Sequence, residues 1–145
     1  MKTLLALVAL VGLALQPLRA DAPPMEVKFF DHVLVAQDFV RGFPMLVNDR
    51  YRVQPGRRTG PGQVEVHDRD TDVFYVLEGS AAFVTGGTAV NSQRIGPGET
   101  RAERIEGGVT RQLAPGDVIV IPPGIPHQFT QVKGTFSYFV VKVAN

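Results

Sequence analysis

The chain has no cysteine and no tryptophan, and only three of its 145 residues are histidine. The missing cysteines exclude disulfides, thiolate metal sites, iron–sulfur clusters, cysteine nucleophiles and the lipidated cysteine that tethers many exported proteins. Any metal must therefore be held by nitrogen and oxygen. Neither sign of charge is in excess: fifteen basic against fourteen acidic side chains leave a formal net charge of +1, no footprint for nucleic acid. Long apolar runs are missing except at the start, MKTLLALVALVGLALQPLRA, where Lys2 precedes the stretch from Leu4 to Leu15. That stretch falls short of the roughly 20 residues that span a bilayer, and its layout is that of a secretory signal peptide. A folded helix apolar on every face would need burial on every face, for which so small a domain has little room. Residues 1–20 are read as a leader cleaved after Ala20, with Ala22 the alternative, and the mature protein as periplasmic or secreted without a membrane anchor. Removing the leader takes Lys2 and Arg19 and no acid, so the small net charge changes sign.

What is present is an ordinary globular balance, 44% hydrophobic and 20% charged, punctuated by fifteen glycines and eleven prolines. From Tyr51 onward short β-branched or aromatic runs alternate with turn signals such as TGPG, TGG, EGG, APGD, PPG and KG. The runs RYRV, VEVH, DVFYVLEG, SAAFV, VTRQL, DVIVI, HQFTQV and FSYFVVKV predict an all-β chain, a sandwich or small barrel, with no internal repeat. Asp117 to Ile121 reads as a strand buried on both sides. The segment from Glu26 to Phe43 mixes apolar and acidic residues and fits neither strand nor helix clearly. Residues 21–50 are expected to pack on the outside of a domain formed by residues 51–145.

Two clusters can carry chemistry. In GQVEVHDRDTDVFYVLEG, side chains alternate faces along a strand, so Glu65 and His67 share one face. The next strand opens at Asp72, with Phe74 and Val76 on its face and Tyr75 and Leu77 on the other; a carboxylate there can meet Glu65 and His67 across one hairpin. In GDVIVIPPGIPHQFTQV, the prolines between Pro122 and Pro126 preclude a regular ladder and deliver His127 at the start of a strand.

These clusters resemble the paired motifs of the cupin superfamily. In the first motif, two histidines separated by one residue are followed by a glutamate and, six residues on, a glycine; here the positions hold Glu65, His67, Asp72 and Gly79. In the second, Gly116, Pro122, Gly124 and His127 match position by position, and Gln131 replaces an asparagine. The resemblance implies a single cupin-type β-barrel (double-stranded β-helix, or jelly roll) over 51–145, its two motifs facing across the site. It also implies a divalent metal held by Glu65, His67, Asp72 and His127. Two imidazoles and carboxylates suit Fe, Mn, Ni or Zn. It further implies an oxygenase, isomerase or lyase acting on a small oxygen-rich organic compound. In that scheme Tyr138 or Gln131 hydrogen-bonds the substrate, and Glu65, if it stays off the metal, serves as general base. Tyr75, Leu77, Phe139 and Val141 lie on faces that meet the second sheet or a partner, so a homodimer is expected.

The alternative is a non-catalytic ligand-binding or structural cupin, in which His127 packs under the proline loop while Glu65 and Asp72 are solvated rim charges. Other motif readings fall away. Asp68, Asp70 and Asp72 begin a calcium-loop pattern, but Val73 and Gly79 occupy its required glycine and glutamate positions. The glycine pairs lack the lysine of a phosphate loop, His32 reads as structural, and no serine has the setting of a nucleophile. Arg57-Arg58 and RAERIE read as solvated surface, although an arginine at a barrel mouth can hold an anion.

Overall fold

The computed structural model describes residues 26–145; the predicted leader lies outside them. One helix, α1 (His32–Arg41), precedes eleven strands: β1 (Leu46–Val47), β2 (Tyr51–Arg58), β3 (Val64–His67), β4 (Asp70–Thr85), β5 (Thr88–Val90), β6 (Gln93–Gly96), β7 (Glu99–Ala102), β8 (Arg104–Glu106), β9 (Val109–Leu113), β10 (Val118–Ile121) and β11 (His127–Ala144). Among the described residues no helix is long and apolar enough to cross a membrane.

The fold is a double-stranded β-helix built around β4 and β11, which pair antiparallel from His127↔Thr85 to Ala144↔Asp70. Strand β11 also pairs with β2 and, at His127, with β3; β4 also pairs with β9 and β10. Each of these long strands covers two runs that the sequence separates by a turn. At Gly79 (φ 79°) and Gly134 (φ 68°) the backbone bends without leaving the ladder, whose register shifts between Lys133 and Ser137.

The inward residues Phe74, Val76, Phe83, Phe129, Phe136, Tyr138 and Val140 form the core, with Phe83 and Phe129 ring centroids 4.4 Å apart. Alternation along β4 holds as expected: Phe74 and Val76 are buried, Tyr75 and Leu77 exposed. In β10 it corrects the expectation. Only Ile121 is buried, while Val118 and Val120 are 61% and 57% exposed on the outer face, because no layer covers that side of the sheet.

The ambiguous N-terminal segment contains α1. Asp31 caps it, accepting from the amides of Val33 and Leu34 at 2.9 Å, and Gly42 closes it in the left-handed region. The helix packs on β2, and Phe39 meets Phe139 edge-on at 5.2 Å. Phe139 is thus covered by this chain's own helix rather than left free for a partner. His32 is exposed.

Candidate functional site

Residues from β2, β3, β4, β7 and β11 line a cavity of about 220 Å³. Glu65 and His67 both point into it from β3, as alternation requires. The expected hairpin does not form: β3 pairs with β7 and β11, and β4 pairs with β9, β10 and β11. The short turn after His67 carries the chain from one ladder to another, so Asp72 reaches the same space from across the barrel. His127 is the ladder partner of Glu65. It therefore comes from beside Glu65, not from the opposite wall.

Ligand atoms of Glu65, His67 and His127 lie within 4.8 Å of one another. His127 Nδ1 is 3.0 Å from the Ile125 carbonyl oxygen, which fixes the proton there and leaves Nε2 a bare lone pair. That Nε2 is buried and has no hydrogen-bond partner among the described residues. Burial lowers the His127 pKa despite the nearby carboxylates, so the ring is neutral and able to donate its lone pair. The proline loop supplies this arrangement: it ends the preceding strand and places the Ile125 carbonyl two residues before the ring.

His67 has a different environment. Three carboxylates surround it, with Glu65 and Asp72 at 3.5 and 3.3 Å from Nε2 and Glu99 at 2.8 Å from Nδ1, off the axis needed for a hydrogen bond. Burial disfavours a charge on the ring, but hydrogen bonds to Asp72 and Glu65 outweigh it and raise the pKa, with Lys142 opposing. Lys142 Nζ stands 2.7 Å from His67 Nε2 and 2.8 and 2.6 Å from the two oxygens of Asp72. Only one hydrogen fits between those two nitrogens; with Lys142 as donor, His67 Nε2 accepts. The Lys142 ammonium is then the cation of this corner of the cavity.

Asp72 is fully buried, not a solvated rim charge, and its pKa is lowered: His67 and Lys142 overcome the cost of burial. Glu65 is only a quarter exposed and faces Arg58 and Arg101 at 3.7 and 3.8 Å. Burial raises its pKa, but His67, Arg101 and Arg58 outweigh that and bring it down to about 2. A depressed carboxylate contributes stability that is present above its ordinary 4.5 and is lost as pH falls toward 2. Metal-free protein is expected to lose on the order of 3 kcal/mol through Glu65 across that window. Thermal unfolding from pH 6 downward checks this against Glu65→Gln; an equally steep acid limb in the variant would assign the loss to other groups.

Tyr138 lines the cavity, its ring lying on the backbone of β2, where a Cβ on its ladder partner Gly56 would come within 2.3 Å. Arg58 Nε donates to the Tyr138 hydroxyl at 3.1 Å and its guanidinium covers the Phe129 ring at 4.7 Å. Gln131, by contrast, is exposed and outside the cavity. Thr130 is an extra residue in β11, between the ladder positions Phe129↔Phe83 and Gln131↔Ala82, and this bulge reverses the alternation so that Val132 faces the core instead. Gln128 lines the cavity, with its amide donating to the Gly62 carbonyl at 3.0 Å.

Sequence reasoning missed Lys142 and Glu99; Arg58 and Arg101, read as solvated surface unless at a barrel mouth, both line the cavity. The period of two in FSYFVVKV puts Lys142 on the face of Tyr138 and Val140, a signal that was available. Glu99 and Arg101 belong to a four-residue strand too short and polar to stand out.

The family model described as Cupin matches residues 55–145. The chain belongs to the cupin family. No curated protein sequence matches this cupin. Among solved structures, it is similar to a candidate mannose-6-phosphate isomerase from Ralstonia eutropha JMP134, with a TM-score of 0.51 and 13% identity over 70% of this chain and 82% of that one. A Klebsiella pneumoniae subsp. pneumoniae MGH 78578 protein with a double-stranded β-helix domain gives a TM-score of 0.50 and 16% identity over 70% and 69% of the two chains. The DMSP lyase DddQ from Ruegeria pomeroyi DSS-3 gives 0.49 and 19% over 68% of this cupin, which spans only 40% of that chain. At such identities the likeness is one of fold.

Proposed function

We propose that this cupin holds one divalent metal ion on Glu65, His67 and His127 and acts on a small, oxygen-rich anion as an oxygenase, isomerase or lyase. The observation that carries the reading is His127 Nε2, a buried lone pair with no partner, in a cluster whose other members are an imidazole and a carboxylate. Two imidazoles and a carboxylate without thiolates suit Fe(II), Mn(II), Ni(II) or Zn(II). A metal held there supplies Lewis-acid polarisation of a substrate oxygen.

The chain's own residues do the rest. Arg58 and Arg101 border the cavity and offer charge-assisted hydrogen bonds to a carboxylate or similar anion. Tyr138 accepts from Arg58, so its own O–H is free to donate to the ligand, and burial raises its pKa and keeps it protonated. Phe74 and Phe129 wall off water and strengthen these contacts. Glu65, held near pKa 2, is too weak a base to abstract a proton, which favours its role as ligand. The leader read in residues 1–20 makes export to the periplasm or medium part of the same proposal. So is a homodimer, for which the exposed Tyr75, Leu77, Val118 and Val120 on the outer face of the paired strands β4 and β10 supply a surface.

One observation favours a second reading, a metal-free barrel that binds a small anion: the Lys142 ammonium already satisfies Asp72 and His67. Elemental analysis of protein purified without a histidine tag separates the two. About one equivalent of iron, manganese, nickel or zinc per chain is the expected result. No metal, and none taken up on titration with each ion under reducing conditions, leaves the metal-free barrel as the function.

A further inference from the structure

Lys142 projects into the cavity because of the ladder, not because of a chance rotamer. It follows Tyr138 and Val140 on the inner face of β11, and its partner across the ladder is Asp72. Its ammonium holds both oxygens of Asp72 and the Nε2 of His67. A ring nitrogen has one lone pair, which cannot accept a hydrogen from an ammonium and bind a metal ion at the same time. An ammonium and a dication within a few ångströms also repel each other, strongly so in a dry site.

The lysine has somewhere else to go. Besides the central cavity, Lys142 lines a second depression of about 210 Å³ at the barrel surface, shared with Asp49 and Asp70 and with Arg52, whose charge the two carboxylates outnumber. Rotation about its four-carbon stem exchanges one carboxylate neighbourhood for another and uncovers both His67 Nε2 and Asp72.

We propose that Lys142 is a tethered competitor for the metal site: its ammonium occupies His67 and Asp72, and a metal ion is admitted only as Lys142 leaves for the depression beside Asp49 and Asp70. The inference rests on the metal-binding reading above and adds how that site is gated. It assigns Asp72 two states, counter-ion to Lys142 without metal and available fourth ligand with it.

Calorimetric titration of metal-stripped full-length protein with Mn(II) and with Zn(II) tests the proposal. Lys142→Met is expected to bind at least about tenfold more tightly than the wild type, and Asp72→Asn to weaken binding far more in the Lys142→Met background than alone. Should Lys142→Met fail to fold because Asp72 is left buried without a partner, Asp72→Asn compared with Asp72→Asn/Lys142→Met makes the comparison with no unpaired charge, and a tightening is expected there too, smaller because Asp72 no longer serves as a ligand. Binding by the wild type with no tightening in either comparison overturns the competitor and leaves the metal site standing. Binding that requires removal of Lys142 supports the competitor and overturns the metal reading of the wild type. Absence of binding in every variant overturns both.

Discussion

His127→Ala is expected to abolish binding of the proposed metal ion while leaving the β-barrel folded. The ring is neutral, its Nδ1 is committed to the Ile125 carbonyl, and its Nε2 has no other use within the chain. Losing a hydrogen-bond partner of a metal ligand costs roughly 10–100-fold in affinity, and losing the ligand itself is expected to exceed that. The substitution also opens space beside Phe74 and Phe83, whose rings lie 6.5 and 5.9 Å from the imidazole, so some loss of stability accompanies it. Elemental analysis together with far-ultraviolet circular dichroism separates the two effects. A folded variant that retains a full equivalent of metal removes His127 from the ligand set. Gln131→Ala is the matched control, because that side chain points to solvent from the same strand, and its metal content is expected to stay unchanged.

The second large effect is on stability. Gly79→Ala is expected to cost about 3 kcal/mol or more, from two sources. The backbone sits at φ 79°, where a side chain costs roughly 1–2 kcal/mol. A Cβ at this position would also lie 2.0 Å from the Thr135 carbonyl oxygen, a clash with backbone on the neighbouring strand that no rotamer relieves. The comparison is Gly116→Ala: φ is 92°, but nothing lies within 4 Å of the added atom, so only the conformational cost applies. Urea unfolding of the two variants is expected to show Gly79→Ala as clearly the less stable, with a thermal midpoint lowered by on the order of 10 °C. Equal losses would mean that the strand pair at Gly79 and Thr135 gives way easily and that close approach does not explain the glycine.

Much of this architecture was legible because a strand's alternation is strict. The inward Phe74 and Val76, the outward Tyr75 and Leu77, and the shared face of Glu65 and His67 all follow from a period of two. Where that period is interrupted, the reading fails. Gln131 was placed in the site by counting from His127, and the extra residue at Thr130 turns it outward. Adjacency in sequence misled in a second way. Glu65, His67 and Asp72 do converge, but across the barrel rather than along one hairpin, since consecutive strands here belong to different ladders. Apolar content was a poor guide to burial in β10, because Val118 and Val120 have the composition of core residues and no layer above them. A ten-residue helix lying against the barrel with no buried residue, as α1 is, has too weak an apolar stripe to stand out. Lysine is not among the residue types that ligate metals, so nothing in its chemistry marks Lys142; its importance comes from where alternation points it.

Three register shifts divide the ladder of β11 with β4 into separately phased stretches: His127 to Phe129, Gln131 to Lys133, Ser137 alone, and Tyr138 to Ala144. The inward aim of Tyr138 and Lys142 is therefore indexed independently of His127. An insertion or deletion at one of these shifts can redirect one stretch without disturbing the next, so the wall that carries Tyr138 and Lys142 is free to diverge while the imidazole beside Glu65 stays in place.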